Sequence, residues 1–162
     1  MESVRAATTD DLPVVSALVD EFVSEQRTLR GGAVWESFEG PRLHPEHLAT
    51  AIADVRSPHR RQHVLLGCLD DQAVGRAYVT IETVATGDDL AVIRVIHVQE
   101  EAREVGVGSA LLDAVFEVAR SSGCTGVDAT VLPGNRSAKN FFEMHGLVAR
   151  AISVHRAVGE GS

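Results

Sequence analysis

The chain is poor in the features that mark specialised protein classes. It has two cysteines, Cys68 and Cys124, too few and too isolated for a disulfide framework, so both are expected as reduced thiols in a cytoplasmic protein. No apolar run approaches the roughly 20 residues of a membrane span, which argues against a helical membrane protein. The opening residues Met1-Glu2-Ser3-Val4-Arg5 lack the basic-then-apolar order of a signal peptide. A basic patch is missing too: the formal net charge is −8, and the densest basic stretch, His59-Arg60-Arg61-Gln62-His63, is short. Nucleic acid is therefore not an expected partner, and the acidic balance favours cationic small molecules or basic peptides. There is no internal repeat, low-complexity tract or linker. His44, His47, His59 and His63 lack a consistent ligand spacing, so no metal is expected.

What is present is an ordinary globular composition. Of 162 residues, 44% are hydrophobic and 23% charged, which suits one domain over 1–162 with a real core. Val4 to Ala7 reads as a short strand. Thr8 to Asp11 supply helix caps, and Val14, Leu18 and Phe22, with Val15 and Val19 beside them, form one face of a helix ending near Gln26. Thr28 to His44 holds Gly31, Gly32, Gly40, Pro41 and the lone Trp35, and is expected as a long loop of the kind that forms binding segments. Pro45 opens a second helix with Leu48, Ala51, Ile52 and Val55 on one face, stopped at Ser57-Pro58.

Three strands follow: His63 to Leu69, Ala73 to Val84 after an Asp70-Asp71 hairpin turn, and the nearly continuous apolar run Ala91 to Val98. A helix with Val107, Leu111, Ala114, Val115 and Val118 on one face ends at Gly123. Val127 to Val131 alternates as a strand, Arg136 to His145 is a helix closed by Gly146, and Leu147 to Val158 reads as a last strand. The order β-α-α-β-β-β-α-β-α-β predicts an α/β or α+β domain: a mixed sheet with helices on both faces.

The chemistry gathers where the Ala91–Val98 strand delivers the chain to Arg103-x-x-Gly106-x-Gly108 at a helix start. The first N–H groups of a helix have no internal partner, the macrodipole is positive there, and glycines let the backbone approach a phosphate. The dinucleotide fingerprint fails because Leu111 stands where its third glycine belongs, although Asp128 falls at the spacing of its acidic residue. A Walker loop fails because Gly108-Ser109-Ala110 has no lysine. A second block, Asn135-Arg136-Ser137-Ala138-Lys139-Asn140-Phe141-Phe142-Glu143-Met144-His145-Gly146-Leu147, lies downstream.

Together the two blocks resemble the GCN5-related N-acetyltransferase (GNAT) superfamily. The first is similar to its acyl-CoA loop, Arg/Gln-x-x-Gly-x-Gly/Ala, and the second to Asn-x-x-Ala-x-x-Phe-Tyr-Glu-x-x-Gly-Phe. The resemblance implies a GNAT-like, mostly antiparallel central sheet with helices on both faces, and transfer of an acetyl group from acetyl-CoA to a primary amine by direct attack in a ternary complex. It implies that Arg103, Glu104, Val105, Gly106, Val107, Gly108 and Ser109 cradle the pyrophosphate. Ile96 and Val98 pair with the pantetheine arm, and the Val98 N–H meets the oxyanion. Asn135, small Ala138 and Phe142 line the far side, and Trp35 stands near the acceptor amine.

Two departures follow from the residues themselves. The family's leaving-group phenol is replaced by Phe142, which has no proton to give, though a thiolate leaves tolerably well unaided. The positions of the family's base on the strand hold Val92 and Arg94. His97 is the nearest titratable alternative, pointing away from Val92 and Arg94 unless a bulge reverses it. A hydrogen-bonded structural role is its other reading, and Tyr78 and Glu82 are weaker alternatives. A non-catalytic acyl-CoA-binding module is the rival to an enzyme, and a domain serving mainly as an oligomer interface is a third. The unpaired edge of the expected last strand, with Leu147, Ala149, Ala151 and Ser153 alternating against Val148, Arg150, Ile152 and Val154, predicts a homodimer joined along that strand.

Overall fold

A computed structural model describes residues 1–159 apart from the side chain of Val55; Glu160 to Ser162 lie outside the described residues. In chain order the elements are β1 (Glu2–Ala6), α1 (Leu12–Arg27), α2 (Gly32–Glu39), α3 (Pro45–Ala53), β2 (Gln62–Leu69), β3 (Gln72–Thr83), β4 (Asp89–Val98), α4 (Val107–Ser121), β5 (Gly126–Ala129) and α5 (Arg136–Met144). The sheet runs β1-β2-β3-β4-β5. Its first three pairings are antiparallel and β4–β5 is parallel. The β2–β3 hairpin closes on Asp70 and Asp71, both at positive φ (47° and 67°), a conformation in which aspartate is among the better-tolerated non-glycine residues.

Two apolar layers cover the sheet. On one face Val15, Leu18 and Val19 of α1, Trp35 of α2, and Leu48, Ala51 and Ile52 of α3 pack on Val64, Leu66, Tyr78 and Val95. On the other, Val107, Leu111, Leu112 and Val115 of α4 and Phe142 of α5 pack on Leu65, Ala77, Val79, Ala91 and Ile93. The start of α1 is fixed by Asp11, which accepts from the Thr8 backbone N–H (2.7 Å) and the Thr8 hydroxyl (3.0 Å) and is forked by Arg5. The Arg5 hydrogen bond, aided by those from Thr8 and opposed by burial, holds the Asp11 carboxyl below the usual carboxylate range.

Two expectations are corrected. Thr28 to His44 is not a long loop: α2 and a short 3₁₀ turn, Gly40–Leu43, fill most of it. Its glycines mark the ends of α2: Gly31 and Gly40 cap it and Gly32 is its first residue. Gly31 holds the N-cap at φ 85°, and a Cβ on Gly32 would lie 2.0 Å from the Gln26 carbonyl oxygen, so the turn from α1 into α2 is tight enough to require glycine.

The last strand is absent. Gly146 (φ 84°) ends α5, with the Leu147 N–H returning to the Phe142 carbonyl at 3.0 Å. Residues 148–158 then run without sheet pairing. Val148, Ile152 and Val154 are 79–90% exposed, and Arg150 ties the segment to Asp128 on β5 by an ion pair. Alternation drives pairing only where one face finds cover, and no neighbour covers this one. The homodimer expected along that strand therefore has no strand to form it.

Candidate active site

The sheet opens where β4 and β5 part. β5 pairs with Leu90, Ala91, Val92 and Ile93, leaving Arg94 to Val98 with no strand partner on that side among the described residues. The Val98 carbonyl faces the free edge, where the Arg103 Nε–H donates to it at 2.9 Å. Alternate residues of a strand aim their amides to the same side, so Ile96 shares the free edge with Val98.

From this edge the chain passes Glu104, at φ 67°, and Gly106, at φ 93°, into α4. Left-handed residues in a turn of this kind point successive N–H groups at one spot, an anion-binding concavity that runs into the unpartnered N–H groups of the helix start. Gly106 is the one glycine here that its φ demands; a β-branched side chain would be strained there. Arg103, Glu104, Val105, Gly106, Val107, Gly108 and Ser109 thus form one continuous turn beside the free edge.

A cleft of about 570 Å³ lies between the C-terminal half of α1 and the N-terminus of α5, lined by Glu25, Gln26, Leu29, Gly134, Asn135 and Ser137 among others. Asn135 caps α5, its Oδ1 accepting from the Ala138 N–H at 3.0 Å. The α1–α2 turn reaches the β5–α5 loop: an added Cβ on Gly31 would touch Leu132, and one on Gly134 would touch Leu29, each at 3.4 Å. Phe142 does not line the cleft. It is buried in the α4-side layer, while Phe141 lies against Gly108.

A β-bulge places His97. Tyr78 pairs with Val95 and Val79 with Ile93, so Arg94 is an extra residue. Upstream, Ala91 and Ile93 face the α4 layer; downstream, Val95 faces the α1 layer. His97 follows Val95 and meets Phe22 of α1, ring centroids 5.8 Å apart. Arg94 lies on the same face, its guanidinium bonded to Thr80, Glu39 of α2 and Glu82. The bulge therefore brings His97 to the side of Val92 and Arg94.

The His97 imidazole is buried between two carboxylates, with Nε2 3.3 Å from Glu21 and Nδ1 3.9 Å from Glu25. Burial holds its pKa below the ordinary histidine range. Arg103 pulls the same way, against Glu21 and Glu25, and the ring is neutral near pH 7. Glu25 also accepts from Arg103 Nη2 at 2.6 Å, and Glu21 from Gln99 Nε2 at 2.9 Å. Residue patterning missed this arrangement. Its only trace was that Glu21 and Glu25 are four apart and flank Phe22 on the apolar stripe of α1.

The other candidates are committed elsewhere. Tyr78 donates to Gln62 at 2.6 Å, and burial raises its pKa. Burial pushes the Glu82 carboxyl up, but hydrogen bonds from Thr80 and Arg94 outweigh it and hold the group low. Trp35 is 7% exposed and packs edge-on against Phe22 at 5.3 Å, on the same face as His97. Among the described residues no three His, Cys, Asp or Glu side chains gather to hold a metal. Both cysteines are free, and no described helix is long and apolar enough to cross a membrane.

The sequence profile of the Acetyltransferase (GNAT) family matches residues 32–147, from α2 to the end of α5. The chain belongs to the GNAT acetyltransferase family. Solved structures share its fold. A transcriptional regulator from Bacillus halodurans C-125 is 24% identical with a TM-score of 0.69, the match covering 98% of this chain and 100% of that one. A ribosomal-protein-alanine N-acetyltransferase from Brucella melitensis biovar Abortus 2308 is 14% identical with a TM-score of 0.69, over 98% and 100%. An aminoglycoside acetyltransferase from an uncultured soil metagenomic sample, in complex with sisomicin, is 17% identical with a TM-score of 0.67, over 99% and 97%. No curated protein matches the chain. Family membership makes this an acyltransferase-type domain with a mixed, mostly antiparallel sheet.

Proposed function

We propose that the whole chain is one catalytic domain that transfers the acetyl group of acetyl-CoA to a primary amine within a ternary complex. The observation that carries this reading is the free edge of β4 at Arg94 to Val98, opening directly into the left-handed turn at the start of α4. An extended amide chain ending in a pyrophosphate fits such an edge and turn. The pantetheine pairs with Ile96 and Val98, the phosphates sit on Arg103 to Ser109, and Asn135 and Ala138 border the opposite wall. Arg103 leaves the Val98 carbonyl when the arm binds.

The acceptor approaches from the α1–α2 side, near Trp35. Its nitrogen attacks the thioester carbon, the C–N bond forms, and the Val98 N–H holds the oxyanion. The C–S bond then breaks and CoA leaves as the thiolate, which takes its proton from water. The proton lost from the ammonium passes through water to neutral His97, whose Nδ1 faces Glu25 at the cleft wall. The structural relatives named for N-acetylation of a protein and for an aminoglycoside both support an amine acceptor, and the reduced cysteines suit a cytoplasmic enzyme.

The test is to incubate the protein with acetyl-CoA alone and with a panel of amines while following free thiol. Release that depends on one amine class is expected. The absence of a phenol at Phe142 and of a base at Val92 and Arg94 favours one specific rival, a non-catalytic acyl-CoA-binding module. Tight binding with no amine-dependent release would establish that rival, and no acetyl-CoA binding at all would sink both.

A further inference from the structure

We infer that His145 is a cofactor-positioning residue that acts through Ser109 and makes binding of the CoA pyrophosphate proton-linked. The inference rests on the reading of the α4 start as the pyrophosphate site. His145 lies at the C-terminal end of α5 with its ring tilted on Phe141, centroids 4.6 Å apart. Its Nδ1 is 2.8 Å from the Phe141 carbonyl oxygen, and its Nε2 is 3.1 Å from the Ser109 hydroxyl. Ser109 is the third residue of α4, in the same turn as Gly106 and Gly108.

These contacts fix the hydrogens. A carbonyl only accepts, so Nδ1 carries hydrogen. In a neutral ring Nε2 is then bare, and the Ser109 hydroxyl must donate to it. Ser109 thereby presents only lone pairs to the turn that is to receive an anion. When the ring gains a second proton, Nε2 becomes a donor and Ser109 accepts from it. The hydroxyl hydrogen is then free to point at a phosphate oxygen. No covalent bond changes; one proton enters from solvent and one hydroxyl rotates. A charge-assisted contact replaces a mismatched one, and the bound phosphate in turn favours the imidazolium.

Little else competes for the ring. On α5, Lys139 and Glu143 pair with each other. On α4, Asp113, one turn beyond Ser109, is exposed. From β1 the Glu2 side chain lies near Gly106, and in the preceding loop Arg103 is engaged with Val98 and Glu25 beside Glu104.

The test is calorimetric titration with dephospho-CoA, which keeps the pyrophosphate but lacks the 3′-phosphate that itself titrates near neutrality. It is run from about pH 5.5 to 8.5, the range over which histidine loses its proton, in buffers of differing ionisation enthalpy. For the parent, affinity falls roughly tenfold across that range, a difference of about 1.4 kcal/mol, with net proton uptake on binding. In His145→Gln, whose amide still reaches Ser109 but does not titrate, and in Ser109→Ala, the slope and the uptake vanish while circular dichroism stays that of the parent. Pantetheine, which has no pyrophosphate, binds the parent without a slope. Undiminished slope in His145→Gln, or a flat parent profile with binding intact, overturns this inference alone. Failure of the parent to bind dephospho-CoA at any pH overturns the pyrophosphate reading, and the role of His145 with it.

Discussion

Gly108→Val leaves the free protein folded and removes most of the thermal stabilisation that acetyl-CoA confers on the parent. A ligand held at about 100 times its Kd stabilises the native state by about 2.7 kcal/mol, which for a chain of this size is roughly 5–10 °C in Tm. Gly108 is the second residue of α4 and is not at positive φ. A Cβ there would first meet Phe141 at 3.4 Å, then Val98 at 3.8 Å, which are ordinary contacts. The free protein therefore changes by no more than about 1 kcal/mol, the scale of helix propensity. The cost falls on the space in front of the helix start, where branched methyl groups displace a phosphate oxygen. Differential scanning fluorimetry with and without acetyl-CoA separates the two effects. A parent-sized shift in the variant would place the pyrophosphate elsewhere.

Arg76→Met makes the protein more stable, by about 1–4 kcal/mol in the midpoint of urea unfolding. Arg76 is fully buried on β3 beneath α1. Among the described residues its only hydrogen bond is a long one, Nη1 to the Val15 carbonyl oxygen at 3.4 Å, and Nε and Nη2 have no partner there. Burial pushes the guanidinium down to about 10, with only Tyr78 pulling the other way. The side chain therefore stays charged at neutral pH in apolar surroundings without a carboxylate beside it, which is costly. Methionine has similar length, fills irregular space and carries no charge. A lower midpoint in the variant would show that Arg76 is satisfied in solution by a partner such as buried water.

Most of the fold was legible because its elements are amphipathic and punctuated. The stripe Val15, Leu18, Val19 of α1, the Asp70-Asp71 hairpin and the Gly123 and Gly146 helix ends each have one physical reading. The start of α4 was legible for the same reason: Gly106 and Gly108 follow a buried strand. Where patterning failed, context decided. Gly31, Gly32 and Gly40 look like loop breakers by composition, yet they flank and start a helix: Gly31 supplies a left-handed conformation and Gly32 a close approach to the Gln26 carbonyl that a Cβ would block. Leu147 to Val154 alternates like a strand, yet nothing packs on it. The pairing of Glu21 and Glu25 with His97 joins residues 76 and 72 positions apart in the chain, and no local rule connects them. Glu25 as a partner of Arg103, 78 positions away, was hidden for the same reason.

The extra residue at Arg94 also divides β4 into two halves of opposite phase. Upstream of it, even-numbered residues look toward α1; downstream, odd-numbered ones do. Counting by twos from the α4 turn therefore misassigns every position beyond the bulge. The two halves can also be altered independently. Substitutions at Val92 reach the α1 face whatever the register of Ile96 and Val98, so that face can change without disturbing the free edge of β4. Loss of a single residue from Arg94-Val95 would remove the bulge and leave one regular ladder, with His97 still toward α1 and Ile96 toward α4, because Arg94 and Val95 now share the α1 face.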